Sequence, residues 1–175
     1  MRILILLCVV TFVAQCTALQ LAQAEPPPLL VQAIAEAARF QGLDPAIALS
    51  IVQIESTFNP KALREEKHLK TFSVGLFQIL HTTAKIEFGF RKSVKHLQDP
   101  ETNIGIGVRY IARCMKNKTS LEWLACCYQA GFAAKPQFCA RHDGVKNYLQ
   151  KLKTTVPIWR LRLMDDAIEI DLRGV

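Results

Sequence analysis

The 175-residue chain lacks most of the features that would narrow its function at once. It has no CxxC pair and its four histidines are scattered, so no zinc-ligand spacing is present and no metal is expected. There is no internal repeat, no low-complexity tract, and no candidate membrane span beyond the N-terminal segment. The basic residues are spread along the chain without an interleaved aromatic patch, which leaves a nucleic-acid binder resting on charge alone. No cofactor is expected. Acid is scarce: 15 Asp and Glu stand against 22 Lys and Arg, for a formal charge of +7. What the chain does have is apolar content. Half its residues are hydrophobic, which argues against disorder, and the length suits one domain with a real core.

The first 24 residues form a targeting segment. Arg2 supplies charge, "ILILLCVVTFVA" is a short apolar stretch, and Ala22-Gln23-Ala24 has the small-x-small pattern of a cleavage site. An uncleaved anchor would need a span of about 20 residues, longer than this one. Lipid attachment at Cys16 would want a small residue where Gln15 stands. The reading is therefore a cleaved signal peptide over 1–24, a Pro-rich lead-in over 25–28, and an exported protein, periplasmic or extracellular, with no stable membrane span after cleavage. Its charge would be 21 − 15 = +6, which favours anionic partners (wall polymer, lipid headgroups or nucleic acid) without choosing among them.

Cleavage also removes Cys8 and Cys16 and leaves Cys114, Cys126, Cys127 and Cys139. In an oxidising compartment these make two disulfides. Sequence neighbours rarely bond to each other, so Cys114 is expected to join one of the central pair and Cys139 the other.

The pattern along the chain is mostly helical. "LLVQAIAEAARFQG" places Leu30, Ile34 and Ala37 at helical spacing with Gly42 as stop. "LDPAIALSIVQIES" opens with Asp44 as N-cap and Pro45 in the first turn, and is apolar nearly all round, which predicts a central buried helix. Residues 60–73 read as an exposed polar loop. Helices are predicted again from His81, from Asp99, after the Thr119-Ser120 cap and from Gly144, with a basic connection over 91–100. Gly105 and Gly107 inside a helix suggest close packing, since each destabilises a helix by about 1 kcal/mol. The segment from Thr155 onward mixes strand-like and helical signals, and 154–175 is left as a tail of unassigned role. A small β excursion is allowed in the loop or the tail.

Glu55 is the chemically conspicuous residue. It sits in the last turn of the apolar helix, where burial and the negative end of the helix dipole both disfavour its ionised form. No Lys or Arg lies three or four residues away to pair with it. A carboxylic acid kept protonated near neutral pH is what general-acid catalysis uses. The other acids, among them Glu65, Glu66, Glu87 and Asp99, lie in exposed-looking segments, so no second carboxylate is named for a two-carboxylate glycosidase.

"ALSIVQIESTFNPKA" resembles the first motif of the lytic transglycosylases with the soluble-transglycosylase (SLT) domain, in which a Glu-Ser pair ends a buried helix. "GLFQIL" at 75–80 resembles their Gly-Leu-Met-Gln motif, "LQDPETNIGIGVRYI" the helix that follows, and "CCYQAG" at 126–131 the Ala-Tyr-Asn-x-Gly motif. Order and rough spacing agree from about residue 29 to 152, and the domain is placed at 29–153. The resemblance implies a lysozyme-like (goose-lysozyme/SLT type) α fold with a groove for peptidoglycan glycan strands. It implies cleavage of the β-1,4 bond between N-acetylmuramic acid and N-acetylglucosamine by one glutamate. That glutamate first protonates the glycosidic oxygen and then, as carboxylate, takes the C6 hydroxyl proton so that a 1,6-anhydro ring closes. On this reading Glu55 is the catalytic acid and base, and Ser56, Phe77, Gln78, Tyr128 and Gln129 contact or orient the substrate. Such enzymes often serve a secretion, conjugation or phage-related envelope machine. Phe77 stands for the usual methionine and is expected to add bulk in the groove. Gln129 stands for the usual asparagine, which keeps a second class of function open, a wall-binding module that has lost turnover. A lysozyme-type muramidase is a further alternative. Cys126 and Cys127 occupy positions that usually hold small residues; either they pack as such or a disulfide braces the segment carrying Tyr128.

Overall fold

The structure is a computed structural model that describes residues 25–173, with side chains through Asp165. The expected signal peptide lies outside the described residues. Within them the chain forms eight α-helices and one small antiparallel sheet.

α1 (Pro28–Phe40) starts at the third proline of the lead-in, where a missing N–H is no loss. It buries Ile34, Ala35 and Ala38, and the chain turns away through Gly42 at φ +69°. α2 (Pro45–Ser56) is the axis of the core. The Asp44 carboxylate accepts from the Ala46 N–H at 2.9 Å, and residues 46–52 are buried without a break.

The segment 60–73, expected as a loop, is the place of the β excursion. β1 (Leu63–Glu66) and β2 (Thr71–Val74) pair antiparallel with Leu63 opposite Val74 and Glu66 opposite Thr71. A single 3-10 turn (Lys67–Leu69) and Lys70 at φ +49° connect them. β3 (Ile79–Leu80) adds to β2, with Val74 opposite Ile79. β1 exposes Leu63, Arg64 and Glu65 because it is the outer strand, and charge there protects an open edge. β2 buries Thr71, Ser73 and Val74 against the helices.

α3 (His81–Phe88) stops at Gly89 in the left-handed region. The basic connection contains a short α4 (Val94–Leu97) that buries Leu97. α5 (Pro100–Met115) is capped by Asp99, which accepts from the Thr102 N–H at 2.9 Å. The reason for Gly107 is visible: a Cβ there would enter the Phe77 ring. α6 (Leu121–Ala130), capped by Ser120, and α7 (Pro136–Arg141) complete the side of the domain that carries the cysteines.

α8 (Asp143–Arg173) is the largest departure from expectation. It runs through residue 154, where the sequence suggested a tail, and carries Pro157 in its interior. An internal proline removes one backbone hydrogen bond and crowds the preceding turn, at about 3 kcal/mol. Tertiary contacts offset this: Val156 and Trp159 are buried in the core, Trp159 Nε1 donates to Gln53 Oε1 at 2.7 Å, and Arg160 pairs with the Asp44 cap at 2.7 Å. Among the described residues no helix is long and apolar enough to cross a membrane.

Candidate active site

α2 delivers Glu55 to the edge of the core and the chain then reverses sharply. Thr57 and Phe58 both take left-handed conformations, at φ +50° and +60°. Non-glycine residues seldom do so, so strain is concentrated directly after Glu55. Phe58 holds the reversal in place: it is buried and packs on the Trp159 ring at 5.5 Å between centroids.

Glu55 is half-buried, and its pKa lies above the ordinary 4.5. Desolvation is the main cause. The Tyr148 hydroxyl, then the charges of Arg64 and Lys151, pull it back, while the charge of Glu66 adds to the rise. Tyr148 comes from α8 and was not among the residues expected from the sequence. Its hydroxyl is near enough to Glu55 to bias its proton, yet it is the one buried side-chain polar atom among the described residues without a partner in full hydrogen-bond geometry.

A layer of tyrosines lies behind this contact. Tyr128 stacks on Tyr148 with ring planes 8° apart and centroids at 5.8 Å, and Tyr110 meets Tyr128 edge-on at 5.2 Å. The Tyr128 hydroxyl donates to the Phe77 carbonyl at 2.7 Å, tying α6 to the loop before β3. Burial pushes the Tyr128 and Tyr148 phenols well above their ordinary 10, with the Glu55 charge adding to the rise, and burial pushes Tyr110 up to about 12. These hydroxyls therefore stay protonated and serve as donors.

On the sheet side, Gln78 sits at φ +45° and gives both amide hydrogens to backbone carbonyls, of Gly75 at 2.9 Å and Ala62 at 3.3 Å. It orients the loop, and its oxygen is the atom left for a ligand. Glu66, which looked exposed in the sequence, is half-buried and within electrostatic range of Glu55. Arg64 Nε at 2.7 Å and Ser73 Oγ at 2.8 Å both donate to Glu66 Oε1, and these bonds hold its pKa below the usual value.

The side chains of the other three expected contact residues are placed differently from one another. Phe77 is fully buried, packed on Gly107, so its ring adds no bulk to a groove; its backbone, which also accepts from Tyr128, carries its contribution. The Ser56 hydroxyl donates to the Val52 carbonyl at 3.1 Å, an ordinary helix-end bond. Gln129 is exposed and makes no side-chain hydrogen bond among the described residues. A residue in the Asn-Ile pair of the α5 motif, given no role from the sequence, ties the loop together. Asn103 is fully buried in α5, donates to the Val74 and Leu97 carbonyls and accepts from the Phe77 N–H, each at 2.9 Å. A Cβ on Gly75 would collide with that amide, which explains the glycine at φ +73°. A lone amide inside the apolar "TNIGIGV" was the signal that could have marked it.

Both disulfides form, Cys114–Cys127 and Cys126–Cys139, and brace the helix that carries Tyr128 from two sides. Among the described residues no three His, Cys, Asp or Glu side chains cluster as a metal site.

A buried helix that ends on a desolvated glutamate, faced by a small sheet and backed by tyrosines, defines a lysozyme-like helical domain. Residues 32–150, more than half of the chain, match the model of the transglycosylase SLT domain, and the chain belongs to that family. It is 36% identical over 84 residues to the membrane-bound lytic murein transglycosylase C of Haemophilus influenzae, covering 45% of this chain and 22% of that protein. It is 34% identical over 95 residues to the protein of the same name from Shigella sonnei, covering 51% and 24%. The chain thus spans less than a quarter of the length of the curated relatives it matches. Among solved structures it resembles an inactive mutant of the lytic transglycosylase Slt from Pseudomonas aeruginosa, with a TM-score of 0.61 and 19% identity over 75% of this chain and 24% of that one.

Proposed function

We propose that this protein is a peptidoglycan lytic transglycosylase that cleaves the β-1,4 bond between N-acetylmuramic acid and N-acetylglucosamine. The reading rests above all on Glu55, a single carboxyl held at the end of a core helix with its pKa raised by desolvation. In its protonated form Glu55 gives its proton to the glycosidic oxygen. As carboxylate it then takes the C6 hydroxyl proton, and that oxygen closes the 1,6-anhydro ring. The Tyr148 hydroxyl stabilises the carboxylate formed between the two steps. Tyr128 and Asn103 act through the Phe77 backbone to keep the loop at fixed distance, and Gln78 offers its oxygen to the sugar. Export to the periplasm or beyond, with the glycan strand as substrate and an envelope machine as partner, completes the proposal.

A second reading draws on Glu66. A carboxylate held ionised near a protonated carboxyl is the arrangement that activates water in a hydrolase. Digestion of purified sacculi separates the two: non-reducing anhydro-muropeptides support the transglycosylase, and reducing ends support the muramidase. Glu55→Gln is expected to lower release by about 10²-fold or more under either chemistry while leaving the far-UV spectrum unchanged. An active Glu55→Gln protein would refute the assignment.

A further inference from the structure

Basic residues occur all along the chain, but the excess of positive charge is uneven. Residues 61–98 hold eight Lys and Arg and three Glu, 8 − 3 = +5, against +7 for the whole sequence. The fold gathers this excess around the turn of the β1–β2 hairpin. The Thr82 N–H, in the first turn of α3, donates to Thr71 Oγ1 at 3.3 Å, and His81 Nε2 donates to the Lys92 carbonyl at 3.0 Å. The hairpin turn with Lys67 and Lys70, the start of α3, and the connection with Arg91 and Lys92 therefore meet. None of these four cations, nor Lys85 or Lys95, has a carboxylate partner among the described residues, and all six are exposed. Two acids of the stretch are engaged, Glu66 by Arg64 and Glu87 by Arg113, which leaves Glu65.

Apolar side chains stand among these cations. Leu69, in the turn itself, is 49% exposed, Phe72 37% and Ile86 79%. Ile86 lies one turn beyond Thr82 on the same face of α3. Single exposed apolar residues are ordinary, whereas three set among unpaired cations on adjoining elements make two demands of a partner. The cations call for anions, and the apolar tips call for an apolar phase directly behind them. An anionic bilayer meets both, with headgroups at the lysines and the acyl boundary at Leu69 and Ile86. A hydrated polyanion meets only the first.

We infer that the tip of the β1–β2 hairpin and the exposed face of α3 dock the protein peripherally on an anionic lipid surface. Phe72 pairs with Glu65 and Thr71 with Glu66, and successive strand residues alternate, so Phe72 and Glu66 lie on opposite faces of the sheet. The lipid-facing side is thus turned away from the side that adjusts the charge of Glu55.

The test is co-sedimentation of the protein, purified after export, with vesicles of neutral phosphatidylcholine and with vesicles that contain phosphatidylglycerol. Binding is expected to the second only, and it should weaken with salt. Lys67→Gln with Lys92→Gln should weaken it about thirty-fold, about five-fold for each charge. Leu69→Ser with Ile86→Ser should weaken vesicle binding about ten-fold and leave binding to soluble polyphosphate as it was. Both variants should keep the wild-type unfolding midpoint, because all four positions are exposed. No binding to phosphatidylglycerol vesicles overturns the inference. Undiminished binding by either variant does so too, and in the apolar variant it would make this face a site for a soluble polyanion instead. Peptidoglycan enters none of these measurements, so their outcome is independent of the proposed chemistry.

Discussion

The two walls that meet at Glu55 are built by opposite means. The helical wall, with Tyr128, Tyr148 and Tyr110 between α5, α6 and α8, is buried, aromatic and cross-linked by two disulfides. The sheet wall is an outer strand of charged residues, joined by turns in left-handed conformations and fixed by one buried amide, Asn103. The helical wall sets where the glutamate is and shields it in part from water. The sheet wall adjusts its charge, through Arg64, which favours the ionised form, and Glu66, which opposes it. Stability should therefore be sensitive on both sides at buried points only, whereas proton affinity should be sensitive on the exposed strand as well.

The largest effect is expected at Asn103, where the sheet wall depends on the core. Asn103→Leu leaves two carbonyls and one N–H unsatisfied, each worth about 1–3 kcal/mol, so denaturant unfolding should show a loss of about 3 kcal/mol or more. Next comes the brace of the helical wall. Cys126→Ala with Cys139→Ala opens a 13-residue separation and should lower stability by about 3 kcal/mol. A loss much larger than at Asn103 would mean that the cross-links, and not the packing, hold that wall.

The two stacked tyrosines should then separate. Tyr128→Phe removes a part-buried hydrogen bond and leaves the Phe77 carbonyl unpaired, at about 1–2 kcal/mol. Tyr148→Phe removes a hydroxyl that has no fully formed bond, so stability should stay within about 0.5 kcal/mol. Its effect is expected in the pH profile: losing a group that lowers the Glu55 pKa moves that pKa, and the alkaline limit of activity, upward. Arg64→Ala should do the same to a smaller degree, with almost no effect on stability, because the side chain is exposed and its ion pair is screened. Equal shifts from the two variants would remove the distinction between the walls.

Glu55 links proton affinity to stability with a definite sign. Its folded pKa is above the unfolded 4.5, so the folded state holds the proton more tightly, and stability falls as pH rises from 4.5 through the folded value. Glu55→Gln should therefore raise Tm at neutral pH, and the gain should vanish below about 4.5.

The helical frame was legible because its ends are written locally. Asp44-Pro45, Asp99-Pro100 and Ser120 each cap a helix whose apolar spacing follows at once. Glu55 was legible for a related reason, as a carboxylate in an apolar turn. The sheet was harder. "LREE" has no alternation, because an outer strand exposes most of its residues and only its register against β2 makes it a strand. The end of α8 was hidden by Pro157, whose local penalty is overcome by Trp159 and Val156 packing on a helix more than 100 residues earlier. Tyr148 and Glu66 belong to the site only through such distant approaches, so nothing in their own segments marked them.

Carbon-13 NMR of the Glu55 side-chain carboxyl, titrated in the intact protein, tests the central claim most directly. The midpoint should lie above 4.5, rise further in Tyr148→Phe, and track the alkaline limit of glycan cleavage. A midpoint at or below 4.5, or a pH limit of cleavage that does not move with it, would contradict the role given to Glu55.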